Sequence, residues 1–181
     1  MPNSIHFKLN PGKALETILW IANRNGRRGV DLYKLVKTIL YADMYHLNKY
    51  GRTIYGEVYL AMAHGPVPEH AYEIIKKEPL AVSALKSVPL SKSEKMVKPK
   101  RTAHLSALSK SDIEALTEGW KVCKDLSFSE LKSAADSLPC YVKTWEARTS
   151  DSDEIDLADM LDEKNKDKVD ELREVAPSIS I

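Results

Sequence analysis

The stretch that most limits what this chain can fold into is DLYKLVKTILYADMYHLNKYGRTIYGEVYLAMAHGPVPEHAYEIIKK, residues 31–77. Turning roughly 100° per residue from Leu32 brings Leu35, Val36, Ile39, Leu40 and Leu47 into one stripe and leaves Lys34, Lys37 and Lys49 outside it. That spacing predicts a long amphipathic helix packed on a core. Asp31 is its expected N-cap, and Gly51 is expected to end it in the left-handed conformation. Two polar side chains fall inside the stripe, Asp43 roughly 20° from Leu32 and His46 roughly 40° away on the other side. A buried carboxylate without donors is costly, so Asp43 must find partners or take up a proton.

The nearest donors lie in KYGRTIYG, just downstream. Arg52 to Ile54, a turn at Tyr55-Gly56, and Val58 to Met62 read as a small hairpin, with Val58, Leu60 and Met62 alternating with Glu57, Tyr59 and Ala61. Asp43 is read as a structural tie from the helix to the hairpin backbone or to Arg52, and His46 as a hydrogen-bonded core histidine. The alternative is an acid/base pair of Asp43 with His46, which requires an open cleft. Pro66-Val67-Pro68 then forces an extended segment before a helix opens at Glu69.

In order and spacing, ILYADMYHLNKYGRTIYG, EVYLAMAHGPVP and YEIIK resemble the Panacea domain, also called the SocA-like or GepA-like domain of bacterial and phage antitoxins. The family's Leu-Ser-x-Ser-Asp helix start is matched by Leu108 to Leu116, and its closing elements by LSFSEL and TWEAR. The resemblance covers about residues 11–161, leaving 162–181 as a charged C-terminal helix or tail. Where relatives commonly carry a Ser/Thr-His pair, this chain has Ala134-Ala135-Asp136. The departure removes a polar pair that hydrolysis could have used. The resemblance implies a mainly α single domain of six or seven helices with one or two small β-hairpins. It also implies a cognate toxin protein as partner, and in one branch of the family an ATP-dependent protease to which the toxin is delivered.

At 181 residues the chain has the length of one domain, and 43% hydrophobic residues suffice for a core. No apolar run reaches bilayer length, and MPNSIHFKLN lacks a secretory segment, so the expected location is cytoplasmic, away from membranes. Cys123 and Cys140 are then expected to be reduced. The histidines at 46, 64 and 70 do not form a ligand-pair motif, the GRRG loop lacks the glycine spacing of a phosphate cradle, and no cofactor or metal is expected.

Outside the central stretch, Met1 to Asn10 reads as a short arm and Pro11 as the first turn of a helix. Residues 84–107 hold the basic cluster Lys92, Lys95, Lys98, Lys100 and Arg101, with short strands expected near Met96-Val97 and at Thr102 to Leu105. Ser109 or Ser111, and then Ser127, are positioned to cap two further helices. Residues 1–110 carry 18 Lys/Arg against 8 Asp/Glu, and residues 111–181 carry 9 against 18. Mutual attraction of the two halves is preferred over a basic face for nucleic acid or for an acidic protein.

With no nucleophile elbow, P-loop, dinucleotide fingerprint or zinc signature, the chain reads as a binding protein and not an enzyme. Tyr41 and Tyr45, opposite Leu32 on the helix, and Tyr55 and Tyr59 on the hairpin are the candidate partner contacts, together with His64, Pro66 and Pro68. Large rigid rings lose little entropy at an interface. Self-association is a further option for the same surfaces.

Overall fold

The computed structural model describes residues 4–181; the first three residues of the expected N-terminal arm lie outside them. Among the described residues eight α-helices run in chain order: α1 Pro11–Ala22, α2 Leu32–Tyr50, α3 Glu69–Lys76, α4 Pro79–Val82, α5 Lys110–Cys123, α6 Phe128–Asp136, α7 Pro139–Glu146 and α8 Val169–Val175. The strands are β1 Val30–Asp31, β2 Tyr59–Met62, β3 Gly65–Pro68, β4 Leu90–Lys92, β5 Met96–Pro99 and β6 Asp153–Ile155. Although 58% of the structure is helical, the expected mainly α domain gives way to a mixed α/β one with two three-stranded antiparallel sheets, ordered β1-β5-β4 and β3-β2-β6. Each sheet is a hairpin joined by a short third strand. Two residues of β1 and three of β6 are too few for alternation to reveal.

Helix α2 is the frame. Asp31 caps it by accepting from the Lys34 N–H, and Gly51 closes it at φ 74° with its N–H on the Leu47 carbonyl. The apolar stripe of Leu35, Ile39, Leu40 and Leu47 is buried. Helix α5 lies against α2 at very short range, because a Cβ on Gly119 would come within 2.5 Å of the Thr38 carbonyl and 2.7 Å of the Ala42 nitrogen. Ser109 starts α5 and Ser127 starts α6, each in a reciprocal capping box, with Asp112 and Glu130 respectively. Helix α1 is buried on most of its circumference, and Ile5 and Phe7 of the preceding segment join the same core.

Three local expectations are corrected. The hairpin is one step further along the chain: Arg52 to Ile54 is not a strand, and β2 pairs with β3 from Tyr59–Pro68 to Met62–Gly65. Its inward set is Tyr59 and Ala61, against the surface place expected of Tyr59, because the Tyr59 hydroxyl has a buried acceptor waiting on α2. In the second sheet β5 pairs with Leu90–Lys92, and Thr102 to Leu105 forms no strand. The C-terminal residues 162–181 pack on the body: the Asn165 side-chain amide donates to the Asn48 carbonyl, Leu172 and Ala176 are buried, and the Ile181 carbonyl accepts from Asn10.

Candidate partner interface

Three buried carboxylates fix the segments around α2. Asp43 is wholly buried, with Oδ1 accepting from the Ile54 N–H at 2.7 Å and Oδ2 from the Tyr59 hydroxyl at 2.8 Å. Burial pushes its carboxyl up to about 7, even though both donors favour the ionised form. The tie therefore runs to the backbone, while Arg52 turns the other way and donates to Asp112 at 3.0 Å. Asp112 also pairs with Lys13 at 2.7 Å and lies 3.3 Å from Nε2 of His46. Burial alone would raise the Asp112 carboxyl, but His46, Lys13 and the Ser109 N–H hold it well below the usual carboxylate range. The other imidazole nitrogen, Nδ1, donates to the Arg52 carbonyl at 2.8 Å.

Glu57 is the third brace and was not singled out by the sequence. It accepts from the Tyr55 hydroxyl, the Val58, His70 and Ala71 N–H groups, and the His70 ring. Two of those N–H groups belong to the first turn of α3, where a carboxylate meets the positive end of the helix dipole. The bond to Glu57 raises the His70 imidazole above its ordinary value. Asp43 and His46 are fully buried and share no hydrogen bond, so the acid/base reading of that pair lacks the open cleft it needs.

The candidate contact residues separate. Tyr55 and Tyr59 are in the core, and Pro66 and Pro68 are buried in β3. None of the four can touch a partner with the domain closed, a correction to the surface role expected of them. Tyr41 and Tyr45 are half-buried, and His64 is exposed at the β2–β3 turn. The Tyr45 and Tyr50 hydroxyls and the Lys49 ammonium all converge on Glu114, so this patch at the C-terminal end of α2 is already satisfied from within.

A different aromatic pair dominates the other end of α2. The rings of Tyr33 and Phe128 meet at 4.6 Å, tilted by 56°, and Phe128 is 56% exposed. The Tyr33 hydroxyl donates to the His64 carbonyl at 3.0 Å, anchoring the ring between α2 and the β2–β3 turn. Grooves open on its sides: one of about 230 Å³ between Leu32, Val36, Met62, Val67 and Tyr72, and one of about 380 Å³ bounded by Leu32, Glu94, Lys95 and Phe128. Sequence periodicity could not find this face. Tyr33 and Phe128 are 95 positions apart, and Phe128 reads as an ordinary first-turn residue behind the Ser127 cap.

Lys37 lies under the first groove, wholly buried, with Nζ donating to the Pro66 carbonyl at 2.5 Å and 4.8 Å from the centre of the Tyr33 ring. Burial drives its ammonium down to about 7, with Asp136 opposing. Among the described residues no cluster of three His, Cys, Asp or Glu side chains could hold a metal ion, and no helix is long and apolar enough to cross a membrane. The arrangement offers an apolar groove beside a half-exposed aromatic pair.

No curated protein and no solved structure matches the chain. The family described as Antitoxin SocA-like, Panacea domain has a model that matches residues 35–139, which is more than half of the sequence and runs from the first turn of α2 to the start of α7. The chain thus belongs to the SocA-like antitoxin family built on the Panacea domain.

Proposed function

We propose that this protein is an antitoxin that neutralises a cognate toxin by direct protein–protein binding, without chemistry of its own. The observation that carries the reading is membership of the SocA-like antitoxin family. The half-exposed Tyr33–Phe128 pair supports it, since aromatic side chains set in grooves are the usual anchors of protein interfaces. Its site is cytoplasmic in this reading, where the buried thiols Cys123 and Cys140 stay reduced.

The test is co-expression with the product of the adjacent gene. Growth should be arrested by that product alone and restored with this chain, and the two should co-purify. Rescue without a recoverable complex, with the toxin's half-life shortened, would instead make the protein an adaptor for an ATP-dependent protease. Absence of rescue would remove the antitoxin reading.

A further inference from the structure

Among the described residues an unpaired basic patch lies at the N-terminal end of α2. The turn Asn23–Arg28 packs against β5, and with the β4–β5 hairpin it gathers Arg27, Arg28, Lys92, Lys95, Lys98 and Lys100. All six are exposed, and none makes an ion pair among the described residues. Arg101 alone in this region is neutralised, by Glu16. Residues 162–174, which dock near Asn48 at the far end of α2, hold six Asp/Glu against four Lys/Arg and leave this basic patch uncovered. A 19-residue helix is about 28 Å long. Exposed charges that far apart are screened from one another at physiological salt, where the Debye length is about 8 Å.

The basic end runs directly into the aromatic grooves. The Leu32 N–H donates to the Lys95 carbonyl at 2.7 Å, and Lys95 shares the groove beside Phe128. Resting on the toxin-binding reading above, we infer that the toxin docks here, presenting an acidic segment with an apolar or aromatic residue that seats beside the Tyr33–Phe128 pair. An acidic protein fits better than nucleic acid. The groove between α2 and the β2–β3 hairpin is lined chiefly by aliphatic side chains, and the two rings pack on each other instead of forming an open stack for bases. A second copy fits less well, because a two-fold pair would set this basic patch against itself, and a contact with any other face is head-to-tail and does not close unless the copies form a ring.

The experiment measures affinity of the full chain for the purified adjacent-gene product at two salt concentrations, with melting temperature as the fold control. Four proteins are compared: wild type, Phe128→Ser, the triple change Lys95→Glu/Lys98→Glu/Lys100→Glu, and Tyr45→Ala at the opposite end. Phe128→Ser and the triple change should each weaken binding by at least about tenfold, and the triple change should flatten the salt dependence seen with wild type. Tyr45→Ala should stay within about twofold of wild type, a smaller effect than loss of any anchor residue. If wild type binds and the first two variants bind equally well, the docking surface is wrong while the antitoxin reading stands; if wild type neither binds nor neutralises, both fall. A triple change that abolishes only binding to a 20-base-pair DNA duplex, or only self-association, overturns the inference in favour of nucleic acid or a second copy.

Discussion

Asp43 and Asp112 sit a few side chains apart and respond to pH in opposite senses. Asp43 has its carboxyl raised to about 7 by burial, so between about 4, the ordinary unfolded value, and about 7 the folded chain binds the extra proton and Asp43's contribution to stability falls as pH rises. Asp112 is depressed, so its contribution is present above about 4 and is lost as pH falls through lower values. Replacing Asp43 by Asn should flatten the fall between pH 4 and 7 in urea-denaturation midpoints, whereas Asp43→Ala should cost about 3 kcal/mol by leaving the Ile54 N–H and Tyr59 hydroxyl buried and unpaired. Lys37 is depressed to about 7, so the folded chain carries fewer protons than the unfolded one between about 7 and 10.5, and stability from this residue should increase with pH over that window. Lys37→Met should remove that increase; a wild-type-like slope in the variant would mean that the ammonium is not desolvated. Tyr55→Ala should cost about 3–5 kcal/mol, since the ring fills a closed core, while Tyr45→Ala should shift the melting temperature far less.

Among the elements, α2 and α5 cross at very short range, and the contact depends on the missing side chain of Gly119. Gly119→Ala should destabilise the domain by about 1–3 kcal/mol, because the new methyl meets backbone atoms that cannot move aside cheaply. A melting temperature equal to wild type would contradict so close a crossing. These helices were legible in the sequence because their information is local: the stripe from Leu35 to Leu47, the cap at Asp31, the Gly51 stop, and the Ser109 and Ser127 boxes. Of the sheets, β2 and β5 were legible as short apolar runs, but the third strands were not, since β1 and β6 acquire strand character only from partners far along the chain. The facing of β2 was misread for a related reason. Alternation marks two faces of a strand but does not say which is inward, and the choice was made by the Tyr59 hydroxyl reaching Asp43. Tyr33 and Phe128 were hidden in the same way, their contact existing only after α6 folds back toward the start of α2.

At the scale of the whole molecule, three buried carboxylates tie α1, α2, α3 and the β2–β3 hairpin together, leaving a stiff apolar face beside an unneutralised basic end. Preorganisation of this kind favours tight binding, because little side-chain freedom remains to be lost on association. Near-neutral net charge does not reveal the basic end, and neither does the sequence balance of the two halves, which would allow them simply to cancel in contact. The fold instead leaves the basic residues of the Asn23–Arg28 turn and the β4–β5 hairpin exposed and unpaired among the described residues, with the C-terminal segment docked at the other end of α2. The most direct measurement is titration of the adjacent-gene product's toxic activity with this purified chain, in the absence of ATP and protease. Activity should fall linearly to zero at a fixed stoichiometric ratio, with the toxin recovered intact in the complex. Full activity at saturating concentrations of this chain would contradict neutralisation by binding.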